Sequence, residues 1–357
     1  MDNKYNAYKI LYHGEALAAL AEGRRQAPIH VRVKPTNTCN HHCDYCSYGA
    51  GSLENKGYNR DQIIKADQIP WTVMLDFIKD IHKMKIKAVT FSGGGEPLTY
   101  PHIVETVTEL KKGGTHLSLI TNGQLLKGRL AELFADVKWV RVSFDSPVAS
   151  EYAAQRNISV SAHTEVCDNL AAFATGKSGN CVLGVNFVIT KANHARVYQA
   201  AGLLKELGVD HVKFSAVVSS QPGYHNEIKE KVLKQLESAR QDFATESFAI
   251  VNAFQNECGN LSVSRPPLSK CYICELCTVL GADSKLYLCH TRAYDSRAMI
   301  GDISKTPFRD VWFSSNSSVR RTKLVPFQQC QNICAYYDRN KTLEHYFSVD
   351  LNHVNFL

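Results

Sequence analysis

Between Ile29 and Val218 the chain alternates short β-branched runs with amphipathic helical stretches, and that alternation limits what it can fold into. Ile29 to Val33, Ala88 to Phe91, His116 to Thr121, Trp139 to Phe144, Val182 to Ile189 and His211 to Phe214 read as strands. Trp71, Met74, Leu75, Ile78 and Ile81 recur at helical spacing, as do Ile103, Val107 and Leu110. Leu126, Leu130 and Leu133 mark a further helix, and Val197, Leu204 and Leu207 another. Gly113-Gly114 and Gly208 stand where helices should stop. Strands joined by helical crossovers run parallel, with helices outside. Six such units cannot close the full eight-stranded barrel, so the expected class is α/β with a parallel sheet. Functional groups on such sheets collect at the carboxyl ends of strands.

Four chemically marked segments follow strands here. The first is the loop Cys39-Asn40-His41-His42-Cys43-Asp44-Tyr45-Cys46, spaced C-x3-C-x2-C. The others are Gly93-Gly94-Gly95-Glu96-Pro97, Thr121-Asn122-Gly123 and Ser143-Phe144-Asp145. Three thiolates on a tight loop hold a metal centre but leave it one ligand short, which is how a catalytic site keeps a position for substrate or cofactor. A zinc site completed by His41 or His42 also explains the cysteines, but it leaves the glycine-rich strand end without a purpose.

The cysteine loop followed by Gly-Gly-Glu-Pro resembles the radical S-adenosylmethionine (SAM) superfamily. The resemblance implies a partial (β/α)6 barrel in which Cys39, Cys43 and Cys46 hold a 4Fe-4S cluster. S-adenosyl-L-methionine chelates the remaining iron, and reductive cleavage yields a 5'-deoxyadenosyl radical that removes hydrogen from substrate. Tyr45 fits the family pattern before the last cysteine. Gly94 and Gly95 let backbone approach a ligand, and Glu96 offers a carboxylate to the methionyl ammonium. Asn122, Ser143 and Asp145 match positions that contact ribose or methionyl groups. Arg156 is a candidate for the methionyl carboxylate; for Asn122 a turn role and for Arg156 a solvated surface charge are the plainer readings.

A second signature lies in the carboxyl-terminal third. Cys271-x17-Cys289 is followed by Cys330-x3-Cys334, with Gly281 to Cys289 reading as a hairpin. This looks like the SPASM/twitch extension, with Gly301-Asp302-Ile303 where relatives often show Gly-Asn-Ile. The resemblance implies one auxiliary 4Fe-4S cluster on these four cysteines, a structural zinc knot being the alternative. Cys274 and Cys277 have metal-competent spacing as well. With Cys258 they are candidate hydrogen donors, because radical epimerases return hydrogen from a thiol; Cys167 and Cys181 read as buried core thiols.

The expected layout is a helical lead-in (1–28), the barrel (29–218), a bridging helix and linker (219–265), the auxiliary-cluster domain (266–340) and a tail (341–357). Ile228, Val232, Leu236, Ala239 and Phe243 form the bridging stripe, and Ser264 to Leu268, with Pro266-Pro267, marks the boundary. Twelve cysteines without a signal peptide imply metal ligation in a reducing, cytoplasmic compartment. No run approaches a membrane span. The formal charge of +7 falls to about +4 if seven thiolates hold two clusters, and Lys and Arg are scattered, so no nucleic-acid face is expected.

Only 38 residues precede Cys39, whereas peptide maturases often carry a leader-binding domain there. The expected activity is therefore a radical SAM oxidoreductase acting on a small polar, sugar-like metabolite, by dehydrogenation or epimerisation. A flavodoxin or ferredoxin would be the electron donor. Modification of a ribosomal peptide or protein side chain is the alternative, and a zinc-stabilised scaffold the non-enzymatic one.

Overall fold

Every second residue in the barrel strands disappears under the helices. In β1 (His30–Val33) Val31 and Val33 are fully buried, and in β4 (Trp139–Ser143) Val140 and Val142 are. The intervening His30, Arg32, Trp139 and Arg141 are half-buried and line the barrel interior. A period of two with apolar residues outward and polar residues inward thus fixes which sheet face the helices cover.

The computed structural model describes residues 5–49, 60–219, 221, 223–261, 266–330 and 334–356. All six expected strands are present: β1, β2 (Ala88–Phe91), β3 (His116–Thr121), β4, β5 (Val182–Ile189) and β6 (His211–Ala216). They pair in parallel in that order. A seventh, β7 (Ala249–Asn252), pairs in parallel with β6, where only a bridging helix and linker were expected. Its four residues are too short to show a period. β8 (Cys277–Leu280) runs parallel to β1 on the other side and continues antiparallel into β9 (Lys285–Tyr287) and β10 (Met299–Asp302). The sheet order β10-β9-β8-β1-β2-β3-β4-β5-β6-β7 is open. The expected partial barrel is therefore confirmed, and its cysteine-rich extension is joined to it by backbone hydrogen bonds.

The helices are α1 (Gly14–Ala21), α2 (Trp71–Lys83), α3 (Ile103–Lys112), α4 (Gly128–Phe134), α5 (Ala149–Arg156), α6 (Ser161–Gly176), α7 (Val197–Glu206), α8 (Asn226–Phe243) and α9 (Phe254–Leu261). In the extension follow α10 (Phe308–Phe313), α11 (Ser315–Thr322), α12 (Pro326–Gln329) and α13 (Tyr337–Phe347). Met74, Ile78, Ile81, Val107 and Leu110 are buried as their spacing predicts. Leu126 lies outside α4, which starts only at Gly128. Ser264, where the expected boundary begins, lies outside the described residues. Among the described residues no helix is long and apolar enough to cross a membrane.

Candidate functional site

A cavity of about 570 Å³ opens at the carboxyl ends of the strands, and Cys39, Cys43 and Cys46 all line it. Gly94, Gly95, Glu96, Asn122, Ser143 and Arg156 form its opposite walls. Sequence elements about a hundred residues apart thus share one rim, because successive parallel strands end side by side.

The glycines have a role the sequence reading did not foresee. A Cβ on Gly95 would stand 2.0 Å from the Thr38 carbonyl oxygen, and one on Gly94 would stand 2.0 Å from Asn37 Oδ1. Their missing side chains let the strand end pack against the root of the cysteine loop, rather than serving a ligand alone. Gly95 N–H donates to Thr36 O (3.1 Å) and Glu96 N–H to Thr38 O (2.9 Å). On its far side the loop hangs on the end of α5: His42 N–H donates to Arg156 O (2.9 Å) and Asp44 N–H to Gln155 O (3.1 Å).

Glu96 is buried, and its carboxylate meets only neutral donors. Thr121 Oγ1 (2.7 Å) and Leu98 N–H (3.1 Å) bind Oε1, and Asn122 N–H (2.7 Å) binds Oε2. Burial pushes its pKa up, against the pull of those donors and of Arg156. A carboxylate in this state has an acceptor direction to spare on Oε2 and gains most from a cation. Asn122 itself is tied by Nδ2 to Asn40 Oδ1 (2.7 Å) and accepts from Gln124 N–H (3.1 Å), a turn role combined with a place on the cavity wall.

Asp145 and Arg156 are both buried and paired with each other. Asp145 is wholly buried and does not line the cavity. Its carboxylate is taken up by Arg156 Nη2, the Tyr45 hydroxyl and Val188 N–H (3.0 Å), so it braces the wall from behind. Arg156 is no surface charge: it is 1% exposed, paired with Asp145, stacked 4.6 Å over the Tyr152 ring, and in contact with His41 Nδ1 (3.2 Å). His41 Nε2 meets Gln124 Oε1 (2.9 Å). With both nitrogens engaged, and its pKa lowered to about 4 by burial and then by Arg156, His41 is a structural ring rather than a metal ligand.

The thiols behave as a group. Burial raises the pKa of Cys39 to about 11 and that of Cys43 to about 12, with Cys46 adding to both. Thiolates here need a cation, and an iron centre supplies one. Among the described residues no three His, Cys, Asp or Glu side chains converge on a single metal ion. A 4Fe-4S cube does not ask for that, since each cysteine takes its own iron.

In the extension, Cys271, Cys289, Cys330 and Cys334 act on one another electrostatically: the last two are raised by burial and by the fields of the others. Asn340 Nδ2 donates to Cys271 Sγ (3.7 Å), and its Oδ1 accepts from Tyr272 N–H (2.9 Å) and Ile273 N–H (3.1 Å). Cys274, a candidate hydrogen donor, is instead buried with its sulfur against Cys271 O (3.1 Å) and Arg321 O (3.4 Å). Cys258 sits on α9 and lines neither cavity of the barrel. Cys277 alone of the three faces an interior cavity, its thiol kept protonated by burial with a pKa raised to about 12.

Sequence reasoning missed the residues that lock these parts together. Lys34 is fully buried under the rim and donates to Tyr48 Oη (2.9 Å) and Gly93 O (2.7 Å). Tyr294, from the extension, donates to Asn37 Oδ1 (2.5 Å), and Arg60 Nη1 donates to Ala293 O (2.6 Å). Lys34 stands one residue past a clear strand, and only its inward register marked it.

The chain belongs to the radical SAM superfamily, whose sequence pattern matches residues 33–234. That superfamily uses a 4Fe-4S cluster and S-adenosylmethionine, and the matched residues end before the cysteine-rich extension begins. The chain is similar to the tungsten-containing aldehyde ferredoxin oxidoreductase cofactor-modifying protein of Pyrococcus furiosus, 29% identical over 209 residues, which is 56% of this chain and 54% of that protein. It is also similar to the PqqA peptide cyclase of Gluconobacter oxydans, 26% identical over 190 residues, 53% of this chain and 49% of the relative. It thus spans about half the length of the curated relatives it matches. In fold it is similar to Streptococcus suis SuiB bound to S-adenosylmethionine, with a TM-score of 0.61 at 15% identity, covering 87% of this chain and 72% of the other.

Proposed function

We propose that this radical SAM enzyme modifies a peptide or protein side chain by hydrogen abstraction. Support for the peptide comes from the similarity to PqqA peptide cyclase, and it displaces the small sugar-like metabolite that the sequence reading put first. The observation that carries the enzymatic reading is that three half-buried thiols and a buried, cation-seeking Glu96 line one cavity. Cys39, Cys43 and Cys46 would hold the cluster, and Cys271, Cys289, Cys330 and Cys334 an auxiliary one. When bound, the first cluster and S-adenosylmethionine supply a carbon-centred radical.

The chain's own residues do the positioning. Glu96 would hold the methionyl ammonium, and Ser143 and Asn122 would offer hydrogen bonds to the ribose or methionyl group. The buried Arg156–Asp145 pair holds Tyr45 and the cysteine loop in place, so that the cavity keeps its shape before any ligand enters. Anaerobic protein given dithionite and S-adenosylmethionine should release 5'-deoxyadenosine, and a Cys39→Ala/Cys43→Ala/Cys46→Ala variant should release none; release by that variant overturns the reading. Deuterated lysate fractions then test the substrate class. Deuterium should reach 5'-deoxyadenosine from the peptide fraction, and transfer from the small-metabolite fraction alone would restore the oxidoreductase reading.

A further inference from the structure

A second cavity, of about 660 Å³, lies inside the barrel. Its place follows from position along the strands. On β4 Arg141 lines this cavity and Ser143 the rim cavity; on β6 Lys213 lines it and Ala216 the rim. Thr90 and then Gly93 repeat the order at the end of β2. Two residues of strand span only ~7 Å, and His290 lines both cavities. Whatever occupies the inner cavity therefore lies directly beneath the cofactor rim.

The inner cavity is cationic. Period-two patterns, His-Val-Arg-Val in β1, Trp-Val-Arg-Val-Ser in β4 and His-Val-Lys-Phe-Ser in β6, turn a base inward each time. Arg339 adds a guanidinium from α13. Lys213 is satisfied by Glu257 Oε1 at 3.0 Å, and Glu257 Oε2 is occupied by Ala216 N–H at 2.8 Å. Among the described residues the arginines that are buried as whole residues all have acids: Arg156 has Asp145, Arg321 has Glu275 and Arg292 has Asp295. Among the described residues Arg32, Arg141 and Arg339 pair with no carboxylate. The Nε groups of Arg32 and Arg141 are buried without a hydrogen-bond partner, although the Arg141 guanidinium also shares a hydrogen bond with Tyr5 and lies in the field of Glu257. The imidazoles nearby yield to these charges: burial, then Arg32 and Arg339, hold His30 neutral down to about pH 3. Enclosed cations without a counter-ion are costly to keep, and an anion from outside would complete them.

We propose that this inner cavity is the substrate pocket and that it selects a substrate carrying an oxyanion, gripped through the guanidinium groups of Arg32 and Arg141. The inference rests on the radical-enzyme reading above and adds to it the charge of the substrate. On the peptide reading the oxyanion is an acidic side chain beside the modified residue. A phosphate on a small compound is the other source of the same chemistry.

Calorimetric titration of the reconstituted holoenzyme tests this with three probes: acetyl-Glu-Glu-amide, its Gln-Gln counterpart and inorganic pyrophosphate. The acidic peptide or pyrophosphate should bind saturably, the Gln-Gln peptide should not, and Arg32→Gln and Arg141→Gln should each weaken binding roughly tenfold or more. Binding of the acidic peptide alone names a carboxylate, and of pyrophosphate alone a phosphate; either supports the proposal. Equal binding of the Gln-Gln peptide, no binding of either anion, or unchanged affinity in folded variants overturns it. Should a variant fail to fold, the Glu-against-Gln comparison on unaltered protein still decides. Protein that forms 5'-deoxyadenosine yet ignores both anions sinks the pocket alone. Protein that binds an anion yet forms none sinks the activity and leaves the oxyanion site standing.

Discussion

At the rim Arg156 meets Asp145, stacks on Tyr152 and touches His41, while lower in the same barrel Arg32 and Arg141 meet no acid among the described residues. Both regions are lined by polar side chains of the same strands, and both enclose arginine. At the rim the arginine is neutralised internally by Asp145, so the brace behind the cysteine loop does not depend on what binds. The interior leaves its charge over, so its energy does. A cofactor that is the same in every turnover suits the first arrangement, and a substrate that must be told apart from others suits the second.

The largest expected effect tests whether the rim is the site of chemistry. Cys39→Ala should take 5'-deoxyadenosine formation to background and lower bound iron from about eight to about four per chain, if each cube carries four. Iron unchanged near eight would move the first cluster elsewhere. Next comes the internal neutralisation. Asp145→Asn leaves Arg156 buried without its acid and should lower unfolding free energy by ~3–5 kcal/mol in urea titration. A loss under about 1 kcal/mol would mean that solvent reaches the pair and that the contrast between the two regions is weaker than drawn. A smaller effect is expected at the loop root: Gly95→Ala drives a Cβ into the Thr38 carbonyl and should cost ~1–3 kcal/mol, with iron lost from the first cluster before the second.

Arg32→Met should go the other way. Removing a cation that has no acid is expected to leave stability unchanged or raise it by ~1–2 kcal/mol, whereas Arg156→Met should lower it. Equal losses from the two substitutions, read from urea midpoints, would erase the distinction between rim and interior.

How much of this was legible beforehand depended on the length scale of the signal. The strands Ala88 to Phe91, His116 to Thr121 and Val182 to Ile189 were read to the residue, because each is a β-branched or apolar run between turn residues. β7 was not, since four residues carry no period. At the site, motif spacing brought Cys39, Cys43, Cys46, Glu96 and Ser143 to one cavity. It could not show that Asp145 is consumed by Arg156 or that Gly94 and Gly95 serve the Asn37-Thr38 contact, because those facts are long-range packing. The cationic interior was visible in principle as bases at alternate strand positions. Its significance lies in the missing acids, which only the assembled barrel reveals.

The smallest effect, and the most specific to the interior, is a pH dependence. His30 shares a hydrogen bond with Thr90 Oγ1 (2.8 Å), and burial, with Arg32 and Arg339, lowers its pKa from 6.5 to about 3. Between those values the unfolded chain holds a proton that the folded chain does not, so this group makes stability fall as pH falls through that window. His30→Gln should therefore flatten the decline in urea midpoint between about pH 7 and about pH 5. Pyrophosphate offers a sharper form of the same test. An anion lodged against Arg32 and Arg339 would offset their fields, let His30 accept a proton more readily, and shallow the decline in the unaltered protein while leaving His30→Gln as it was. A decline equally steep with and without the anion would place the oxyanion away from these guanidiniums, and the interior would then be as self-contained as the rim.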